Sequence, residues 1–216
     1  MKGIIFDLDG VIVHTDHYHY LAWKKMCDMH QLDFDETLNH RLRGVSRMES
    51  LNIILEHNHQ NFSDEIKEKM THEKNEMYKS FLSELKPSDL DDAVKHTLIT
   101  LKNRGYKMAI GSSSRNAKYI LENIGLLGFF DAISDGTNIE KSKPDPEVFL
   151  KAASWLKLEP KECAVVEDAV AGLIAAKTGG MVSIGIGDAK DSSNADYSIE
   201  TFKDLLSIFT DDDAIA

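Results

Sequence analysis

From Ser88 onward the chain alternates helix-like with strand-like text, and this alternation constrains its fold more than any other feature. A helical stretch from about Leu90 to Asn103 stops at Gly105, where Lys102 and Arg104 suit the C-terminal dipole. The apolar run Tyr106 to Ile110 then enters Gly111-Ser112-Ser113-Ser114. A helix near Asn116 to Ile124 is followed by a short strand, Ala132-Ile133-Ser134. Lys141-Ser142-Lys143-Pro144-Asp145-Pro146 opens a helix through about Leu156. The strand Ala164-Val165-Val166 ends in Glu167-Asp168, and an alanine-rich helix, Ala169 to Lys177, stops at Gly179-Gly180. Strand Met181 to Ile186 and a helix over Phe202 to Phe209 complete the series, leaving Asp211 to Ala216 as a tail expected to fray. Strands alternating with helices in this way predict an α/β fold. Its core is a doubly wound, Rossmann-like parallel sheet with helices on both faces.

That sheet needs a first strand, and Ile4-Ile5-Phe6 supplies one that ends in Asp7-Leu8-Asp9-Gly10. Strand-like text continues briefly through Val11-Ile12-Val13 and changes character at His14-Thr15-Asp16. From about Tyr18 to Leu85 there is no proline, Gly44 is the only glycine, and Glu, Lys, Leu and Met abound. Ser46-x-x-Glu49 is a capping-box signature for a helix through about His57. Ser63-Asp64-Glu65 opens another toward Leu85, which Pro87 ends. The expectation is a bundle of about four helices, residues 16–86, inserted as a cap into a discontinuous core of residues 1–15 and 87–216. Hinges are expected near Thr15 and near Leu85 to Pro87. Met26, Met29, Met48, Met70 and Met77 read as packing within the bundle, and Trp23 and Trp155 as packing residues.

A formal net charge of -11 argues against nucleic-acid or anionic-membrane partners, so any phosphate site must be built from a few local cations and amides. Two cysteines, Cys27 and Cys163, give no disulfide framework. Nothing near Met1 reads as a signal peptide and no apolar run approaches membrane-spanning length. The expected setting is cytoplasmic, and the expected state a monomer.

Three strand ends carry chemistry: Asp7 with Asp9, Ser112 to Ser114, and Glu167 with Asp168. Each has a mundane use, as a turn, an N-cap or a helix start. In a doubly wound sheet, however, all of them open onto one edge. Two aspartates at one tip repel each other as anions, which a divalent cation or protonation of one carboxyl relieves. Carboxylates from two strand tips form the hard oxygen site that Mg²⁺ prefers, with room for waters and a substrate phosphate. Lys143 adds a cation, and the serine hydroxyls with the following amides can cradle phosphate oxygens. Such parts stabilise a transferring phosphoryl group by position and charge. The histidines His14, His17, His19, His57 and His59 follow no zinc-ligand spacing.

The order D-x-D-G-V, strand-Ser, S-K-P-x-P and V-V-E-D-A-x-A-G resembles the haloacid dehalogenase superfamily over essentially the whole chain, and the inserted bundle resembles its helical cap. Tyr18-His19 with Ala22-Trp23-Lys24, Arg43-Gly44-Val45-Ser46-Arg47 with Ser50-Leu51, and Lys74-Asn75 narrow the resemblance to sugar-phosphate mutases of that superfamily. The resemblance implies Asp7 as nucleophile and Asp9 as general acid/base. It implies Mg²⁺ on Asp7, Asp168 and the main-chain carbonyl of Asp9, supported by Glu167. It places Ser112, Ser113, Ser114, Arg115, Asn116 and Lys143 about the phosphates. From the cap, Arg47 would grip the non-reacting phosphate, flanked by Gly44, Val45, Ser46 and Ser50. His19, Trp23 and Lys74 would position Asp9 and the closed cap, with Thr15 at the hinge. The implied partner is a small sugar phosphate, with glucose foremost. A phosphatase on the same scaffold is the alternative, and a non-catalytic binding protein the third reading. Ser113, Arg115 and Ala169 depart from the pattern, which leaves the sugar open, and His14 departs from it beside the hinge.

Overall fold

The computed structural model describes residues 1–42 and 45–210; Gly44 and the tail at 211–216 lie outside the described residues. Six parallel strands form one sheet in the order β3-β2-β1-β4-β5-β6. They are β1 (Gly3–Phe6), β2 (Lys107–Gly111), β3 (Ala132–Ser134), β4 (Cys163–Glu167), β5 (Val182–Gly185) and β6 (Tyr197–Ser198). β1 is central and buried along its length because both faces of the sheet are covered. Its side chains divide with period two: Ile4 and Phe6 enter one apolar core, Ile5 the other. Each such side chain contributes about 1.5–3 kcal/mol by leaving water, which fixes the strand's register and therefore the tip that follows it.

The chain leaves β1, adds β2 and β3 on one side, and returns to place β4 on the other. The order reverses between β1 and β4, and the crevice at such a reversal is where doubly wound sheets hold ligands. The tips of β1 and β4 carry Asp7, Asp9, Glu167 and Asp168.

Among the described residues four helices lie between β1 and Pro87: α1 (Asp16–Met29), α2 (Glu36–His40), α3 (Arg47–His57) and α4 (Asp64–Leu82). They enclose an apolar core of their own around Trp23, Met26, Leu51, Ile54 and Met70. Ser46 caps α3, its Oγ accepting from Glu49 N at 3.3 Å. The remaining helices are α5 (Asp92–Asn103), α6 (Ala117–Asn123), α7 (Glu147–Leu156), α8 (Val170–Thr178) and α9 (Leu205–Ile208). Among the described residues no helix is long and apolar enough to cross a membrane.

Several expectations need correction. Val11–Val13 is not a strand: the amides of Ile12 and Val13 donate back to Leu8 O, closing a tight flap after Asp9. α4 stops at Leu82 rather than Leu85, and a 3₁₀ turn then begins at Pro87. The last helix is split into a 3₁₀ turn, Phe202–Asp204, and α9. β6 was not expected, being two exposed residues after a polar stretch. Lys102 and Arg104 sit at the C-terminal end of α5 as expected, and they also reach beyond it: Lys102 donates to Phe129 O, and Arg104 Nη1 reaches Leu206 O at 2.9 Å and Phe209 O at 2.6 Å. Met29 (57% exposed), Met48 and Trp155 (47% exposed) lie at the surface, while Met26 and Met70 are buried as expected.

Candidate active site

The β1–β4 crevice opens into a cavity of about 500 Å³, bounded by the strand tips on one side and by α1, α3 and α4 on the other. Asp7 leaves the end of β1, and its Oδ1 accepts from Lys143 Nζ at 2.6 Å; the same ammonium donates to Glu167 Oε2 at 2.8 Å. Lys143 is 4% exposed and lies 4.7 Å from the Phe149 ring centroid. Burial works against its charge, but Asp7 and Glu167 outweigh burial and hold its pKa above the ordinary lysine range.

Two glycines let the acidic groups approach. Gly10 turns the chain at φ +86°, and a Cβ there would lie 2.1 Å from Asp168 Oδ2. A Cβ on Gly172 would lie 2.1 Å from the Glu167 carboxyl carbon. Oxygens of Asp7, Glu167 and Asp168 lie within 4.8 Å of one another, and this is the group with metal-holding geometry among the described residues. Burial, then the neighbouring carboxylates, push Glu167 and Asp168 well above the usual carboxylate range. A buried, crowded set of hard oxygens with more negative charge than Lys143 offsets is the chemistry of a divalent-cation site. Glu167 Oε1 already accepts from Ala169 N at 3.1 Å and Oε2 from Lys143, so Asp7 and Asp168 are the freer donors. The histidines form no such group among the described residues.

Asp9 is pushed up to about 7 by burial and then by Asp7, opposed by a hydrogen bond from Thr15 Oγ1. A carboxyl that changes protonation near neutrality suits an acid/base role. Thr15, expected at the hinge, thus holds Asp9 directly. Lys74 Nζ lies 2.8 Å from His19 Nδ1, and Trp23 and Tyr78 present ring faces to the same amine.

At the phosphate end, Ser112 is buried and its Oγ accepts from Ser114 N at 3.1 Å, while Ser114 Oγ accepts from Asn116 N at 3.2 Å. Asn116 Nδ2 donates to Asn75 Oδ1 at 2.9 Å, joining the sheet side to α4. Arg47, at the start of α3, is held below the ordinary guanidinium range by burial and then by Arg115. Two guanidinium groups repelling each other across a cavity form a ready anion site.

The cavity wall includes Asp7, Asp9, His19, Trp23, Val45, Ser46, Arg47, Ser50, Lys74, Ser112, Ser113, Ser114, Arg115, Asn116, Lys143, Glu167 and Asp168. Gly44 lies outside the described residues. Sequence reasoning missed Tyr78, whose ring stacks on His19 at 4.0 Å between centroids, and the Asn75–Asn116 link. The i, i+4 spacing of Lys74 and Tyr78 on α4 was the available signal for the first.

A parallel sheet with an aspartate-tipped central strand, a buried lysine and a carboxylate cluster defines a phosphoryl-transfer scaffold, and the chain belongs to the haloacid dehalogenase-like hydrolase family, whose profile matches residues 1–180. It is 42% identical over 207 residues to β-phosphoglucomutase of Bacillus subtilis, covering 95% of this chain and 92% of that one. A crystal structure of β-phosphoglucomutase from Clostridium difficile superposes with a TM-score of 0.92 at 36% identity, covering 99% and 97% of the two chains. A phosphorylated-carbohydrate phosphatase of Thermotoga maritima is 29% identical, covering 85% and 84%.

Proposed function

We propose that this protein is a phosphomutase interconverting β-D-glucose 1-phosphate and glucose 6-phosphate, through an aspartyl phosphate and the β-glucose 1,6-bisphosphate. The observation that carries this reading is one cavity with cations at both ends: Lys143 beside Asp7, and Arg47 with Arg115 on the far side. A phosphatase needs only the first end.

In the forward direction Asp9 takes the proton of the sugar 6-hydroxyl as its oxygen attacks the phosphorus carried on Asp7, and the Asp7–phosphate bond breaks. The bisphosphate then turns end for end between the two cationic poles. Asp7 attacks the 1-phosphate, and Asp9 returns a proton to the departing sugar oxygen. Ser112 and Lys143 hold the reacting phosphate throughout. Residues 16–86 would act as a cap that closes over both phosphates and excludes water from the phospho-aspartate, hinging near Thr15 and Leu85–Pro87. Mg²⁺ held by Asp7, Asp168 and the Asp9 carbonyl would supply positive charge for the transferring group. The protein would act as a cytoplasmic monomer.

Metal binding has its own signature. Asp9, Glu167 and Asp168 all have raised pKa values, so between the unfolded carboxylate range and their folded pKa values the metal-free native state binds more protons than the unfolded one. Its stability therefore falls as pH rises through that window. Added Mg²⁺ should raise the unfolding temperature more at pH 8 than at pH 5.5. An equal shift at both would remove these carboxyls from the metal site.

The mutase reading is tested by following isomerisation and phosphate release together. Wild type should isomerise after a lag that added 1,6-bisphosphate abolishes. Arg47→Ala should lose isomerase activity by on the order of 10²- to 10³-fold, the worth of one or two charged hydrogen bonds, while hydrolysis of small phosphate esters changes little. Steady phosphate release without isomerisation by the wild type would establish the phosphatase instead.

A further inference from the structure

The cavity holds two buried lysines in opposite surroundings. Lys143 is pinned between two carboxylates at 2.6 and 2.8 Å, which favour its ammonium form. Lys74 is as buried, at 2% exposed. Among the described residues no carboxylate lies within ion-pair distance of it, and its hydrogen-bonding neighbour is an imidazole nitrogen. Around it stand His19 on α1, Tyr78 on its own helix, Trp23 and, near enough to act on its charge, Arg47 and Asp9. The ring faces at 4.9 and 4.6 Å and the charge of Asp9 favour a cation, but burial with no carboxylate in ion-pair distance and the neighbouring guanidinium oppose one more strongly. The net effect sets the amine well below the ordinary lysine range, with burial the largest cause.

We propose that Lys74 is a reactive amine that forms a Schiff base with aldehyde phosphates entering this cavity. It rests on the reading of the cavity as a phosphate site, although it requires no phosphoryl transfer. The guanidinium groups of Arg47 and Arg115 hold the phosphate, and the aldehyde carbon comes within reach of Lys74 Nζ. The nitrogen lone pair forms the N–C bond as the carbonyl π pair moves to oxygen. The resulting carbinolamine loses that oxygen as water, together with the two hydrogens of the amine, and leaves a C=N bond. The open-chain form of an aldose 6-phosphate is such an aldehyde, so the enzyme's own product class can occupy this lysine.

Pyridoxal 5′-phosphate is the probe. The full-length protein is incubated with it, the imine is reduced with borohydride and the labelled lysines are located by peptide mass spectrometry. Lys74 should be labelled faster than any other lysine, because the phosphate is held beside it by Arg47 and Arg115. Arg47→Ala should slow its labelling about tenfold, as should saturating inorganic phosphate. Pyridoxal without the phosphate should label Lys74 at a rate indifferent to inorganic phosphate. Label confined to surface lysines, or labelling of Lys74 that neither Arg47→Ala nor inorganic phosphate slows, would overturn the proposal. The same labelling is expected in Asp7→Asn, which transfers no phosphate. A negative mutase assay and a negative labelling result are therefore separate outcomes.

Discussion

Asp7→Asn should abolish turnover, by on the order of 10⁴-fold or more, with no acid-stable or hydroxylamine-sensitive phosphate left on the protein. An amide oxygen is neither anionic nor a competent leaving group for the second transfer, so both halves of the exchange fail together. Stability should move the other way or hardly at all. The substitution removes the Asp7–Lys143 ion pair but also one of the three crowded carboxylates. Lys143 keeps Glu167 at 2.8 Å as a partner. The check is a pair of measurements on one sample: mutase rate, and unfolding temperature without metal. Residual turnover above about a hundredth of wild type would remove Asp7 as nucleophile. A large loss of stability would show that the carboxylate is needed to hold the site together and that the kinetic result has a structural cause.

The parts of this site that could be read from the chain are those where local sequence controls geometry. An apolar run of strand length places Asp7 at a tip because the sheet buries both faces of β1, and Gly10 announces the turn behind it. The alternation after Ser88 fixed the parallel sheet, and a strand order that reverses at β1 and β4 then brings their acidic ends together. What escaped depended on long-range pairing. Lys143 was expected to neutralise the nucleophile, but nothing local tells that it also bonds Glu167, 24 residues away, or that Asn75 meets Asn116 across 41 residues. Val11–Val13 misled because a β-branched apolar run reads as strand whatever its hydrogen bonds do. Thr15 reads as a hinge from its place at the junction. Its hydroxyl is also the donor to Asp9, which depends on the flap folding back on itself.

Lys143→Ala should be the most damaging substitution to the fold as well as to catalysis. The ammonium is the sole cation within ion-pair distance of Asp7 and Glu167 among the described residues, and both partners are buried. Removing one partner of a buried charge set leaves the rest uncompensated, at a cost of about 3–5 kcal/mol. For a chain of this size that corresponds to an unfolding temperature lower by roughly 6–20 °C. The loss should grow with pH. Burial already raises Glu167 against the opposing pull of Lys143, so without that lysine the folded state holds Glu167 protonated to a higher pH, binds more protons than the unfolded chain, and loses stability as pH rises from the carboxylate range toward neutrality. Activity should fall by on the order of 10²- to 10³-fold even where the protein remains folded, because the reacting phosphate loses its fixed positive partner. Lys143→Met separates the two effects: it refills the volume against Phe149 and recovers part of the packing, but none of the charge. Thermal unfolding at pH 5.5 and pH 8, with rates measured well below each midpoint, gives both quantities. If stability in Lys143→Ala proved independent of pH, or if Lys143→Met restored activity, the lysine would be a packing element and the charge pairing at the strand tip would be incidental.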